Sequence, residues 1–191
     1  MPETIALLIF AYLLGSISPA IILSKVMGYT DPRSAGSENP GATNVMRIAG
    51  KKAAALTLAG DFLKGVVPVL LARLVSDDNM VVALTALAVF LGHCFPVFYR
   101  FRGGKGVATA GAATFGFNWI IGSTICLIWI VFAKVFKISS MAAIFAFGAL
   151  PPLIFWSEQD LGVSTVFLAI YLILVWRHKG NIQRLIKGTE S

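Results

Sequence analysis

A short polar stretch beside a long apolar segment has the composition of an anion-binding loop. Residues 100–111 read RFRGGKGVATAG, and the lysine in this stretch is flanked by glycines: Gly103, Gly104, Lys105 and Gly106. Glycine lets backbone N–H groups approach an anion, and a helix beginning at Val107 would direct its positive end to the same point. The stretch lacks the spacing and the magnesium-binding hydroxyl of a nucleotide P-loop. It therefore predicts a phosphate site that holds no metal, with a tight re-entrant turn as the alternative.

Two other polar segments, residues 30–52 and the tail that starts at Arg177, also carry groups suited to phosphate and hydroxyl ligands. In the first, hydroxyl and amide side chains precede an arginine: Ser37, Asn39, Thr43, Asn44 and Arg47. In the second, His178 and Asn181 are three residues apart and share one side of a helical turn if Gly180 does not break it. The alternatives are a loop with a helix cap and a basic tail that binds anionic lipid.

Three ionisable residues interrupt apolar segments, where a charge is unfavourable unless it is paired or functional. Asp61 and Lys64 stand one helical turn apart, so they either neutralise each other or leave Lys64 facing the polar segments. His93 precedes the glycine-rich stretch and either lines a functional cavity or packs between helices.

The composition is that of a membrane protein with one polytopic domain over residues 1–191. Of the 191 residues, 57% are hydrophobic and 13% are charged, and the mean hydropathy is +0.81. The net charge of +7 comes from short loops between apolar runs, so it indicates orientation in a membrane rather than nucleic-acid binding. The two cysteines, Cys94 and Cys126, give neither a disulfide framework nor a metal-ligand spacing.

Helices that cross a bilayer must position these polar segments. The apolar runs cover residues 5–24, 53–72, 79–99, 107–133, 138–157 and 161–176. If the run 107–133 breaks near residues 115–118, every basic loop lies on one face and the acidic turns 76–79 and 157–160 lie on the other. We therefore expect an all-α integral membrane protein with seven transmembrane helices, some of them short. The N-terminus would be periplasmic, and the C-terminus and the three polar segments would be cytoplasmic.

The three polar segments together resemble the motifs of a known family. GSENPGATNVMR, GHCFPVFYRFRGGKGVATAGA and RHKGNIQRLIKGTE are similar to the three motifs of the bacterial acyl-phosphate:glycerol-3-phosphate acyltransferases, the PlsY family. The resemblance implies a seven-helix enzyme of the inner membrane that transfers a fatty acyl group from acyl phosphate to the sn-1 hydroxyl of glycerol 3-phosphate. The products would be lysophosphatidic acid and phosphate, in the first step of bacterial phospholipid synthesis. It implies neither a metal nor any other cofactor.

The resemblance also implies roles for individual residues. It implies catalytic roles for Ser37, Arg47, His178 and Asn181, and an acyl-phosphate-binding role for Gly103, Gly104, Lys105 and Gly106. It implies a structural role for Glu190 and a supporting serine that is either Ser139 or Ser140. We further expect Asn39, Asn44, Lys64 and His93 to bind or support glycerol 3-phosphate, and Asp61 to be structural.

The expected chemistry needs anion neutralisation and alignment more than a strong nucleophile, because acyl phosphate is already activated. We expect direct transfer without an acyl-enzyme, with either His178 or the phosphate of the acceptor as the base. The sequence lacks the H-x-x-x-x-D motif of acyltransferases that use CoA donors, since CFPVF follows His93 and KGNIQ follows His178. A transporter for a phosphorylated metabolite is the alternative function.

The expected partners are the two substrates and membrane lipid, without nucleic acid. If acyl phosphate is the donor, the protein could also make a transient contact with the enzyme that produces it.

Overall fold

The computed structural model describes residues 2–190, which form helices and no strand. The helices are α1 Pro2–Gly15, α2 Pro19–Met27, α3 Ala42–Val75, α4 Asn79–Cys94, α5 Val107–Phe117, α6 Trp119–Phe136, α7 Ser139–Gly148, α8 Leu150–Glu158, α9 Leu161–Arg177 and α10 Lys179–Ile186. A short 3₁₀ turn covers Val97–Tyr99. The prediction of an all-α architecture is confirmed.

Five helical segments in the described chain are long and apolar enough to cross a membrane. They are Pro2–Met27, Ala42–Val75, Asn79–Tyr99, Trp119–Phe136 and Ser139–Glu158. The pair α9 and α10 gives a sixth if it is taken as one span, although the two helices meet at an angle of 56°. Helix α5 is apolar but has only 11 residues, so it covers about 16 Å, roughly half of the hydrocarbon thickness.

Helices α1 and α2 divide the first apolar run, which we expected to be continuous over residues 5–24. Helix α1 ends at Gly15, and Pro19 is the first residue of α2. Proline has no backbone N–H with which to continue the preceding helix. The break exposes the carbonyl of Ile17, which accepts a hydrogen bond from Lys64 at 2.7 Å.

Other breaks also follow proline and glycine. Helix α3 begins at Ala42 and contains a non-helical residue at Gly50 (φ 80°, ψ −175°). Helix α4 ends at Cys94, before Pro96 and short of the expected residue 99. The apolar run 138–157 divides into α7 and α8 at Ala149. These breaks shorten several helices and leave polar backbone groups near the ends of the bundle.

The short turns between helices meet at one end of the bundle. Arg73 donates to Asn79 at 2.5 Å and to the Phe117 carbonyl at 3.0 Å. Asn118 separates α5 from α6, caps α6 and donates to Ser157 at 3.2 Å. The chain therefore turns back at Asn118, and the expected break in the long apolar run is present.

The three polar segments meet at the opposite end of the bundle. The hydroxyls of Thr43 and Ser139 are 3.5 Å apart, and Ser140 donates to Glu190 at 2.7 Å. These contacts join the start of α3, the start of α7 and the end of the chain. The start of α5 lies at the same end, because Lys105 donates to Asn181. We call this end of the bundle the polar end.

Helix α4 lies at the centre of the bundle and carries His93 toward the polar end. It contacts α1, α3, α5 and α9. Its close approach to α1 depends on Gly92, where a Cβ atom would lie 2.9 Å from the backbone nitrogen of Ser16. Small residues commonly allow such approach between membrane helices.

Candidate active site

The loop before α3 folds around the side chain of Asn44, which is buried. The side-chain oxygen of Asn44 accepts from the backbone N–H of Ser37 at 2.9 Å. Its amide nitrogen donates to the carbonyls of Pro32 at 3.0 Å and Ala35 at 2.9 Å. These bonds fix the backbone at Ser37. Because Ser37 is exposed, its hydroxyl is accessible at the surface of the loop.

The same loop joins α3 through Asn39, whose carbonyl accepts from the Gly41 N–H at 2.9 Å. Arg47 lies on the part of α3 that precedes the break at Gly50 and is exposed. Its positive charge is close enough to contribute to the lowered pKa of Lys105. The first polar segment therefore brings Arg47 near the glycine-rich loop.

The glycine-rich loop is held from two sides. On one side, the Gly104 N–H donates to the carbonyl of His93 at 3.2 Å. On the other, Arg177 donates to the carbonyls of Gly103 at 2.6 Å and Gly104 at 3.0 Å. A Cβ atom at Gly104 would overlap the imidazole of His93, and Gly106 has a left-handed conformation (φ 82°) as the N-cap of α5. Glycine is therefore needed here for packing and for the backbone conformation.

A polar cluster links the loop to the C-terminal segment. Lys105 donates to the side-chain oxygen of Asn181, and the amide nitrogen of Asn181 donates to Glu190 at 2.5 Å. Ser140 donates to the same carboxylate oxygen at 2.7 Å, and Arg184 donates to the other at 2.7 Å. The cluster thus joins four of the expected site residues and identifies Ser140 as the serine that contacts them.

The charges in this cluster are strongly coupled. Burial lowers the pKa of Lys105 to about 8; Glu190 opposes this shift, and nearby arginine charges add to it. Burial would raise the pKa of Glu190, but the hydrogen bonds to its carboxylate lower it below the usual value. Near neutral pH Lys105 is therefore mainly protonated, Glu190 is ionised, and an incoming phosphate would meet an excess of positive charge.

His178 lies at the joint between α9 and α10 and is buried. Its Nδ1 atom is 2.8 Å from the carbonyl of Leu174, which can only accept a hydrogen bond. Burial, with the nearby charge of Lys105, lowers the pKa of His178 to about 4. Neutral His178 therefore carries its proton on Nδ1, which leaves Nε2 as a hydrogen-bond acceptor.

Asp61, Lys64 and His93 form a separate buried cluster beneath the glycine-rich loop. The Lys64 ammonium is 2.9 Å from the Asp61 carboxylate, and the Nδ1 atom of His93 is 3.4 Å from the same oxygen. The His93 Nδ1 atom is also 3.1 Å from the Thr109 hydroxyl. No contact joins these residues to Lys105 or Asn181 in the described chain, so the cluster supports the loop from below.

An open cleft of about 800 Å³ lies beside the loop at Gly103. Its other lining residues include Arg100 and Arg102, whose side chains make no hydrogen bond or ion pair among residues 2–190. Arg33 also lines the cleft but pairs with Asp31 at 2.6 Å. The cleft therefore offers a cationic, water-accessible approach to one side of the loop.

Several contacts of the site were not anticipated from the sequence. Arg177 contacts two loop carbonyls, and Thr109 contacts His93. The position of Arg177 directly before His178 was the only signal for its role. Thr109 offered no signal, because a threonine in an apolar helix ordinarily bonds to its own backbone.

The chain is similar to known membrane acyltransferases along almost its whole length. The family model described as glycerol-3-phosphate acyltransferase matches residues 5–188. A glycerol-3-phosphate acyltransferase of Methylococcus capsulatus is 47% identical over 194 residues, covering 100% of this chain and 96% of its own. One from Francisella tularensis subsp. novicida is 50% identical over 186 residues, covering 97% of this chain and 91% of its own.

Two crystal structures of PlsY, an integral membrane glycerol 3-phosphate acyltransferase, have the same fold. The glycerol 3-phosphate form superposes with a TM-score of 0.94 at 38% identity, covering 99% of this chain and 94% of the other. The lysophosphatidic acid form gives a TM-score of 0.90 at 37% identity, with the same coverage.

The contacts of the two neighbouring serines predict different effects of mutation. We expect Ser140→Ala to lower the free energy of unfolding by about 1 kcal/mol, because it removes a hydrogen bond to a buried carboxylate. Ser139→Ala is the matched control and should change stability little, because its contact with Thr43 is long. Thermal unfolding in detergent measures both, and equal destabilisation would contradict the assignment.

Proposed function

Since the chain belongs to the glycerol-3-phosphate acyltransferase family of PlsY-type integral membrane enzymes, we propose that it transfers a fatty acyl group from acyl phosphate to the sn-1 hydroxyl of glycerol 3-phosphate. The hydroxyl oxygen forms a bond to the acyl carbon, and the bond from that carbon to the phosphate oxygen breaks. The products are lysophosphatidic acid and inorganic phosphate, and the reaction begins phospholipid synthesis.

The observation that supports this proposal most directly is the convergence of three polar segments at one end of an apolar bundle. Lys105, Asn181 and Glu190 connect the glycine-rich loop to the C-terminal segment, and Arg47 contributes its charge from the first segment. A donor with an acyl chain and a phosphate needs both a lipid-facing wall and a cationic, donor-rich loop. The polar end of the bundle offers both.

In the proposed complex, the loop from Gly103 to Gly106 and the ammonium of Lys105 bind the donor phosphate. Arg47 contacts the phosphate of the acceptor, for which its forked guanidinium is well suited. Ser37 and Asn181 hydrogen-bond the reacting groups and align the hydroxyl with the acyl carbonyl. Loss of phosphate from an already activated donor makes a covalent acyl-enzyme unnecessary.

The base in this proposal is the phosphate of the acceptor, and His178 orients it. A pKa of about 4 makes His178 a weak base, whereas a phosphate monoester has a second pKa of about 6. A base with a pKa nearer to the working pH is the more effective catalyst. Neutral His178 can accept a hydrogen bond through Nε2 and hold the acceptor in place.

We further propose that the protein crosses the bacterial inner membrane seven times, with the short α5 as one crossing and the polar end in the cytoplasm. All Lys and Arg residues except Lys64 and Arg73 belong to segments at or next to the polar end, which agrees with the excess of positive charge in cytoplasmic loops. This placement would let a soluble enzyme deliver acyl phosphate.

A fluorescent protein fused to the C-terminus tests this orientation. Such fusions fluoresce when they fold in the cytoplasm, so a fusion that stays dark would contradict a cytoplasmic C-terminus.

Phosphate release by the purified protein tests the reaction itself. In detergent or lipid mesophase, palmitoyl phosphate should release phosphate only when glycerol 3-phosphate is present, with an equal yield of lysophosphatidic acid. Palmitoyl-CoA should not replace the donor, and mass spectrometry should find no acylated protein during turnover. A folded sample that binds substrates but releases no phosphate would point instead to a transporter.

The lowered pKa of Lys105 predicts an alkaline limit to substrate capture. The protonated ammonium binds phosphate, so kcat/KM should fall about tenfold per pH unit above pH 8. A bound phosphate raises the pKa of Lys105, so kcat should fall at higher pH than kcat/KM. In Lys105→Arg the alkaline decrease of kcat/KM should disappear, because the guanidinium stays protonated.

A second readout checks the same pKa without turnover. The rate at which an amine-reactive reagent labels Lys105, followed by mass spectrometry, should rise with pH around a midpoint of about 8. A midpoint near the ordinary lysine value would contradict the prediction.

If the phosphate of the acceptor is the base, its pKa determines the pH below which kcat decreases, which we call the acidic limb of the kcat–pH profile. In His178→Gln we expect kcat to fall about tenfold or more, because a hydrogen bond to the acceptor is lost, while the acidic limb stays where it was. A phosphonate analogue of glycerol 3-phosphate, with a higher second pKa, should move the limb to higher pH. If the limb disappears in His178→Gln, histidine is the base.

A further inference from the structure

Arg177 makes an unusual contact, because its side chain binds two successive backbone carbonyls of the glycine-rich loop. Its Nη2 atom donates to the Gly103 carbonyl at 2.6 Å, and its Nε atom donates to the Gly104 carbonyl at 3.0 Å. The guanidinium lies 5.5 Å from the ring centre of Phe95 and 5.9 Å from that of Trp176. The two rings and the two carbonyls together fix the position of the guanidinium.

This contact determines where the N–H groups of the loop point, because the C=O and N–H of a trans peptide point in opposite directions. The peptide that contains the Gly103 carbonyl has the Gly104 N–H on its opposite side. That N–H donates to the backbone carbonyl of His93. The peptide of the Gly104 carbonyl has the Lys105 N–H on its other side. Arg177 therefore directs the Lys105 N–H away from itself, and this N–H has no acceptor in the described chain.

The free N–H lies next to other unsatisfied donors. Helix α5 begins at Val107, and the first N–H groups of any helix have no acceptor within it. The N-cap residue Gly106 has no side chain with which to satisfy them. The Lys105 N–H and the start of α5 therefore form one group of backbone donors.

We propose that Arg177 is a positioning residue that sets the Gly104–Lys105 peptide so that the Lys105 N–H faces the phosphate of the acyl donor. The inference rests on the proposed function, because it assigns this loop to acyl phosphate. Arg177 acts through the backbone and does not contact the substrate. A lysine at this position could not bind both carbonyls in the same way, because its ammonium is a single point rather than a planar fork.

The main alternative is that Arg177 acts only through its positive charge, and Lys179 provides the matched control. Lys179 has the same charge, follows two residues later, is exposed, and lies 5.0 Å from the ring centre of Trp176. It has no contact with the glycine-rich loop in the described chain. Lys179→Gln therefore removes a charge from the same joint without changing the carbonyl contacts.

The test compares the kinetics of Arg177→Gln, Arg177→Lys and Lys179→Gln. We expect Arg177→Gln to raise KM for palmitoyl phosphate about tenfold or more while changing KM for glycerol 3-phosphate about twofold at most. Arg177→Lys should show an intermediate rise, and Lys179→Gln should match the wild type within about twofold. Arg177→Ala should recover a lower KM for palmitoyl phosphate when guanidinium or methylguanidinium ions are added.

Hydrogen exchange provides a readout that does not depend on the reaction. The amide of Gly104 should exchange faster in Arg177→Gln than in the wild type, and at the wild-type rate in Lys179→Gln. If Arg177→Gln fails to fold, Arg177→Lys carries the same comparison, because it keeps the charge and loses the paired contact.

Several results would overturn the inference. They are an unchanged KM for palmitoyl phosphate in the Arg177 variants, an equal effect of Lys179→Gln, or unchanged exchange at Gly104. A fall in kcat and stability without a selective rise in this KM would indicate a merely structural role. Failure of the wild-type protein to use palmitoyl phosphate would instead contradict the proposed function, and the exchange measurement would still test how Arg177 holds the loop.

Discussion

The ion and hydrogen-bond cluster around Lys105 is the constraint on which the polar end depends. A partly buried lysine among arginines is stable only if an anion or strong acceptor lies beside it, and Asn181 and Glu190 supply this partner. Glu190 comes from the end of the chain, whereas Ser140 reaches it from α7. The residual positive charge would attract an incoming phosphate.

The two sides of the glycine-rich loop perform different tasks. His93, supported by Asp61 and Thr109, packs beneath the loop and accepts the Gly104 N–H. Arg177 binds the carbonyls from the other side. A loop made flexible by three glycines is thus held in one conformation, which reduces the entropy lost when an anion binds.

The sequence predicted those features that depend on local composition or on charge along the chain. Loop charges predicted the break that occurs at Asn118, and the glycines predicted the loop before α5. The break between Gly15 and Pro19 was missed, because the run is otherwise uniformly apolar. The contacts of Arg177 could not be predicted, since they require the end of α9 to lie beside the start of α5, and no local pattern encodes that arrangement.

A crystal structure with a non-hydrolysable acyl phosphonate would show directly whether the glycine-rich loop binds the phosphate of the acyl donor. We expect phosphonate oxygens within about 2.7–3.2 Å of the Lys105 backbone nitrogen and of its ammonium, with the acyl chain directed toward the lipid-facing helices. A phosphonate bound in the cleft beside Arg100 and Arg102, with the Lys105 N–H unoccupied, would contradict this expectation.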